Sequence, residues 1–261
     1  MQTGLLDVRV APWVNPRGYE GVQCLCYPID GGKDWALAWP GERRAWVVHL
    51  HGHGSTGDQI FTRADIRDAW LAAYRRLGFG VLSVNLHGNA WMCPAAADDL
   101  HRLLAWVREQ YGVTDFLFVS GSMGGTSNLI YGILHPEDVR AMVALCPATD
   151  IGGYACWCRE HPGGVVDEIY AAIVNAYGGT PEERPEVYAA HSALAHAARL
   201  TMPVFVCHGD DDALIPVEES RRLTAALEGV PTFTYVELPG GHHDSPLFAF
   251  DLYGCLERYT R

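Results

Sequence analysis

Three kinds of residue stand where they could do chemistry together. Ser122 lies in Ser120-Gly121-Ser122-Met123-Gly124-Gly125, between the apolar run Phe116–Val119 and the helix-competent segment Thr126–Leu134. Apolar run, small-residue cluster and helix read as a buried strand, a sharp turn and a helix. A serine at the tip of such a turn has a strained backbone and an exposed hydroxyl, and the helix N-terminus behind it points free N–H groups at developing negative charge. The motif for this arrangement is G-x-S-x-G, and here Ser120 replaces its first glycine. A hydroxyl is a poor nucleophile at neutral pH, so it needs a base within hydrogen-bond reach and an acid that orients the base. His242 and His243, in Pro239-Gly240-Gly241-His242-His243, compete for the first role, and Asp210, Asp211 and Asp212 for the second. The oxyanion of an attacked carbonyl needs two N–H donors. Met123, the residue after the serine, supplies one, and the His51-Gly52-His53 loop supplies the other through the His53 backbone.

Other combinations carry less. His51, His53 and His87 are imidazoles that suit several divalent ions, but no carboxylate of metal-ligand type accompanies them. Cys24/Cys26 and Cys156/Cys158 are C-x-C pairs, short of the usual zinc spacing. The remaining cysteines, Cys93, Cys146, Cys207 and Cys255, include two in apolar runs, where a thiol behaves as a small core residue. No metal and no cofactor is expected.

The elements that must position these residues follow a regular rhythm. Leu5–Val10, Val22–Tyr27 and Trp35–Trp39 are strand-like and separated by turn residues, which predicts an antiparallel edge. Ala45–Leu50 and Gly80–Val84 read as buried strands, with helices after each marked by Ile66, Ala69, Trp70, Ala73 and Leu77, then by Leu100, Leu103, Leu104 and Val107. Val139–Leu145, Met202–Cys207 and Phe233–Leu238 continue the strands, and one closing helix is expected from about Pro246 to Arg258. Continuous apolar strands alternating with amphipathic helices predict a mostly parallel sheet covered on both faces. The polar clusters at His51/His53, His87/Asn89 and Ser122 all follow strands, at the ends where ligands bind in open α/β sheets. From Ala148 to about Leu200 the rhythm breaks, and this stretch reads as a helical insertion, a lid over the sheet edge. One domain over residues 1–261 with a lid at 148–200 is the expected organisation.

A chain of 261 residues, 49% of them apolar, fits a globular protein of this class. A formal net charge of −12 argues against nucleic acid or an anionic membrane as partner. Met1–Asp7 shows neither a basic stretch nor an apolar core of a secretory signal, so a cytoplasmic location is expected.

The chain resembles the α/β-hydrolase superfamily, within it the small prolyl-oligopeptidase-like esterases and peptidases. The resemblance rests on His51-Gly52-His53-Gly54, Ser122-Met123-Gly124-Gly125, Gly178-Gly179-Thr180-Pro181, Pro185–Ser192, His208-Gly209-Asp210-Asp211-Asp212 with Pro216, and Pro239–His243. It covers roughly Ala45 to the C-terminus and departs at Ser120. Matched to the family's H-G-x-x-D-x-x-V-P segment, the acid is Asp212, with Asp211 second. Matched to its P-G-x-x-H segment, the base is His243, with His242 as alternative. The H-G-x opening of the oxyanion loop is closer to small carboxylesterases than to peptidases. The resemblance therefore implies a Ser122–His243–Asp212 triad, an oxyanion hole from His53 and Met123, an acyl-enzyme intermediate, and a small-molecule, saccharide or aromatic ester as substrate. Trp91, Tyr154 and Trp157 offer an aromatic wall for such a group. The alternatives are an amidase or peptidase on the same triad, and a binding protein without catalysis on the same fold.

Overall fold

The structure is a computed structural model that describes residues 6–15 and 17–260. Met1–Leu5 and Pro16, on which the leader reading and part of the first-strand reading rest, lie outside the described residues. Nine strands form one sheet: β1 (Arg9–Pro12), β2 (Gln23–Ile29), β3 (Gly32–Trp39), β4 (Ala45–Leu50), β5 (Gly80–Val84), β6 (Asp115–Gly121), β7 (Val139–Leu145), β8 (Val204–Gly209) and β9 (Phe233–Leu238). Their spatial order is β1-β2-β3-β5-β4-β6-β7-β8-β9. The pairs β1–β2, β2–β3 and β3–β5 are antiparallel, and every pair from β5–β4 to β8–β9 is parallel. This is the expected antiparallel edge on a parallel sheet, the first strand sitting later than the apolar run suggested.

Side-chain alternation along the central strands builds two cores. Trp46, Val48, Phe116, Phe118, Met142 and Ala144 face one side, where α4 (Pro94–Tyr111) and α5 (Met123–Leu134) pack. Val47, Val81, Leu117, Val119, Val143 and Leu145 face the other, against the chain between β4 and β5 and the C-terminal helices. Because both faces are covered, the strands read as unbroken apolar runs rather than alternating ones. α4 starts with Pro94 at its first turn and ends at Gly112 in the left-handed region (φ 65°), and its Leu100, Leu103, Leu104 and Val107 are buried at helical spacing.

Two helices differ from the sequence reading. The segment after β4 is not one helix but α1 (Gln59–Thr62), α2 (Ala64–Ile66), a π-helical turn at Arg67–Leu71 and α3 (Ala72–Arg76). The extended residue at the first break is Arg63 (φ −75°, ψ 111°), whose guanidinium turns outward to Asp65 and Asp244. The closing helix is split into α10 (Ser245–Ala249) and α11 (Leu252–Glu257). Asp251 begins the second piece by capping it, its carboxylate accepting the Gly254 N–H at 2.9 Å.

Between β7 and β8 stand α6 (Ile151–Glu160), α7 (Val165–Tyr177) and α8 (Pro185–Ala190), and α9 (Glu218–Ala226) lies between β8 and β9. Buried Glu219 of α9 accepts the N–H groups of Thr149 and Asp150, which ties the start of α6 to α9. Among the described residues no helix is long and apolar enough to cross a membrane.

Candidate active site

Ser122 stands between β6 and α5 with φ 58° and ψ −129°, a strained geometry for a residue with a side chain. The turn is tight enough that a Cβ on Gly124 would lie 2.1 Å from the Leu50 carbonyl oxygen, and one on Gly125 2.9 Å from that of Leu145. Neither position admits a side chain without backbone movement. Ser120, the departure from the motif, is buried, and its Oγ accepts the Leu50 N–H at 2.9 Å. The β4–β6 ladder ends at Val48 and Phe118, so this hydroxyl extends the link between the two strands toward their site ends.

His243 Nε2 lies 2.9 Å from Ser122 Oγ, and its Nδ1 lies 2.7 Å from Asp212 Oδ2. Asp212 is fully buried, and its other oxygen accepts the N–H groups of Leu214 (2.8 Å) and Ile215 (3.0 Å). The neighbouring carboxylates do other work: Asp210 accepts the Gly240 N–H at 2.6 Å, and Asp211 points to solvent. His242 also points out, 3.3 Å from Asp211, away from Ser122. The structure thus gathers Ser122, His243 and Asp212 and leaves His242, Asp210 and Asp211 outside.

Burial works against ionising Asp212, but bonds from His208 and His243 and from backbone N–H groups outweigh it and hold the carboxyl well below its usual range. For His243 burial works against the imidazolium, while Cys146 and Asp212 beside it favour the charged ring, and the balance is upward from the ordinary histidine value. With Asp212 ionised, the Nδ1–H of a neutral His243 donates to it, and Nε2 is left bare toward the Ser122 hydroxyl.

The structure places Met123 directly after Ser122 and His53 in the loop beside it. Met123 opens α5, and among the described residues neither its N–H nor that of His53 is taken by an intramolecular acceptor. A Cβ on Gly52 would lie 3.9 Å from Ser122 Cβ, so the His51–Gly54 loop borders the nucleophile directly. That loop is held by Gln59, which accepts the Gly52 N–H (3.0 Å), and by Asn89, which accepts that of Gly54 (2.8 Å). His53 Nδ1 accepts from Trp91 Nε1 at 3.3 Å, and burial pulls its imidazole below the ordinary value. Trp91 and Tyr154 are 1% and 0% exposed, so they are core residues that brace His53 rather than an open wall. Both ring nitrogens of His51 face backbone carbonyls, and His87 Nε2 lies 2.7 Å from Asp99, so His51, His53 and His87 do not converge.

Sequence reasoning missed several neighbours of the triad. His208, wholly buried, lies 3.2 Å from Asp212 Oδ2 and is held by Ser220 Oγ (2.7 Å) and the Ile215 carbonyl (2.9 Å). Cys146, which follows β7 with φ 42°, clusters with Asp212 and His243 within 4.8 Å. A cavity of about 30 Å³ opens beside Ser122, lined among others by His49, Gln59, Arg63, Trp70, Cys146 and Leu247. His49 is buried, and its Nδ1 faces the Val119 carbonyl at 3.0 Å. Its Nε2 has no partner among the described residues, and burial pulls the ring down to about 4. The strand-end rule could have pointed to Cys146, and His208 opens the segment that was matched to the family for Asp212, though not as its partner; nothing in the local sequence marks the others.

Residues 40–227 match the model of the BD-FAE family. The chain is 29% identical over 275 residues to esterase LipQ of Mycobacterium tuberculosis, covering 96% of this chain and 62% of that protein. It is 28% identical over 207 residues to esterase LipC of the same organism, covering 67% of this chain and 50% of that one. The chain therefore spans between half and two thirds of the length of these relatives. Among solved structures it superposes on the Pyrococcus furiosus esterase Pf2001 with a TM-score of 0.65 at 16% identity, covering 96% of each chain. That likeness shows the α/β-hydrolase fold.

Proposed function

The chain belongs to the BD-FAE family, and from that premise we propose that it is a carboxylic ester hydrolase working through Ser122, His243 and Asp212. The observation that carries the reading is the unbroken hydrogen-bonded line from Ser122 Oγ through His243 to Asp212, at 2.9 and 2.7 Å. His243 Nε2 takes the hydroxyl proton as Ser122 Oγ attacks the ester carbonyl, and the resulting oxyanion is held by the N–H groups of Met123 and His53. His243 then protonates the departing alcohol. Water, deprotonated in turn by His243, attacks the acyl-enzyme and releases the acid, restoring Ser122. Asp212 stays ionised throughout and stabilises the imidazolium. The esterases LipQ and LipC support ester over amide chemistry, although each is a longer protein than this chain.

The insertion between β7 and β8 serves as a lid in this reading, within one domain over residues 1–261. Support comes from its position after a strand end at the site and from the contact of its first helix, through Tyr154, with Trp91 behind His53. The cavity beside Ser122 has room for a group of about two or three heavy atoms, since a single water needs about 10–15 Å³ of such volume. Short esters are accordingly the better substrates.

The test is hydrolysis of p-nitrophenyl acetate, butyrate and octanoate by the wild type and by Ser122→Ala. A fall in kcat on the order of 10⁴–10⁶-fold in the variant is expected. Unchanged activity in Ser122→Ala would remove the serine from the mechanism. Faster turnover of a matched p-nitroanilide than of the ester would transfer the site to an amidase.

A further inference from the structure

The imidazoles near the site, His51, His53 and His87, do not converge. A different cluster does. His101 lies on α4, and His135, Glu137 and Asp138 lie in the connection from α5 to β7. One donor atom from each of these four side chains lies within 4.8 Å of every other. The cluster sits at the C-terminal end of α5, whose twelve residues put it about 18 Å from Ser122.

The four residues play unequal parts. Asp138 is buried, and its Oδ2 accepts from Tyr131 Oη at 2.6 Å and lies 2.8 Å from His101 Nδ1, while Arg108 holds the other oxygen. Those bonds fix its carboxylate in place behind His101. A carboxylate on Nδ1 keeps the proton there in the neutral ring and leaves Nε2 with a bare lone pair. This is the arrangement by which a carboxylate orients a metal-bound histidine. Among the described residues the one polar side-chain contact of His135 is the long one to Glu137, 3.4 Å, and the Glu137 side chain is 62% exposed and free to swing.

We propose that His101, His135 and Glu137, with Asp138 behind His101, bind a borderline divalent transition-metal ion of the zinc type. Two imidazoles and a carboxylate are a donor set that suits such ions, with water completing a tetrahedron. The rings of His101 and His135 are stacked, with centroids 4.2 Å apart and planes 14° apart. An imidazole binds a metal in its own ring plane, so binding turns one ring out of the stack. His101 is held by Asp138, so the ring that turns is His135, whose side chain is partly exposed and only loosely held by Glu137. A bound ion would clamp α4 to the end of α5 on one face of the sheet, far from the ester chemistry.

The experiment uses the full chain after chelator treatment, titrated with Zn²⁺ by calorimetry and with Co²⁺ by absorption spectroscopy, beside His135→Ala and Glu137→Ala. Both substituted side chains are at least partly exposed, and neither is in the triad. The expected result is saturable Zn²⁺ binding that weakens at least about 10-fold in each variant. Co²⁺ should give visible bands of nitrogen and oxygen ligation. Zn²⁺ should also raise the thermal midpoint of the wild type by several degrees and leave that of His135→Ala unmoved. Absence of saturable binding, or equal affinity in wild type and both variants, would overturn the proposal. So would a cobalt signal made up only of a thiolate charge-transfer band, which would assign the ion to Cys146, Asp212 and His243.

Discussion

His243 can accept a proton from Ser122 only while its Nε2 is unprotonated, and the surroundings of that ring favour the charged form. Its upward shift has a kinetic consequence: kcat/KM should climb with pH along a limb whose midpoint lies above the ordinary histidine value of 6.5. A pH–rate profile with its midpoint at or below 6.5 would count against that electrostatic account. The same shift has a consequence for folding. A ring whose folded value is raised adds stability that is fully present below 6.5 and is lost as pH rises through the folded value. Asp212, depressed, adds stability present above its unfolded value of 3.8 and lost as pH falls through the folded one. Thermal midpoints of wild type and His243→Ala should therefore converge on the alkaline side. Asp212→Asn keeps the side-chain shape but lets the ring settle in the wrong tautomer, and a loss in kcat on the order of 10⁴-fold is expected, read on p-nitrophenyl acetate. At this scale the sequence singled out residue types better than partners. Two adjacent histidines and three adjacent aspartates differ only in which way a turn points them, and a family pattern was needed to choose between them. His208 stands in the same segment as Asp212, but its contact there was not readable, and Gln59 acts on Gly52, seven positions away, through a turn whose shape no local pattern encodes.

At the scale of elements, the turn that carries Ser122 is held by contacts between strands rather than by its own residues. Ser120→Ala removes the acceptor of the Leu50 N–H and leaves a buried donor unmet, which should cost about 1–3 kcal/mol, measured by urea unfolding. Gly124→Ala should cost about 3 kcal/mol or more, because the added methyl meets the Leu50 carbonyl and the turn must open. Purified Gly124→Ala with wild-type stability would contradict the geometry. The buried strands were readable because both of their faces are apolar: β5 and β7 begin and end where the apolar runs do. The broken helices were less so. Arg63 interrupts the first through an extended backbone that arginine does not require, and Phe250-Asp251 splits the last without a glycine or proline to mark it.

At the scale of the molecule, a parallel sheet collects strand ends that are remote in sequence, which is why the polar clusters could be placed on one rim before any contact was known. The order of the strands and the size of the space between them were not readable, because both follow from packing across the whole sheet. That packing leaves a small cavity beside Ser122, walled in part by Trp70, whose indole N–H is tied to the Leu247 carbonyl at 3.1 Å. Trp70→Ala should enlarge it and shift preference from acetate toward butyrate and octanoate, seen as a change in the ratio of kcat/KM values. An unchanged ratio would mean that the variable group of the ester lies elsewhere.

The wide separation of Ser122 from its partner His243, 121 residues along the chain, also sets a timetable. As the polypeptide emerges from the ribosome, the serine, its turn and most of the sheet are available long before the histidine is made. In the proposed mechanism, until β9 has joined the edge and the loop after it has swung back, the hydroxyl has no base and the nascent chain is chemically silent. Recovery of activity on refolding should accordingly trail the return of sheet structure, so that turnover reports on the last strand to dock.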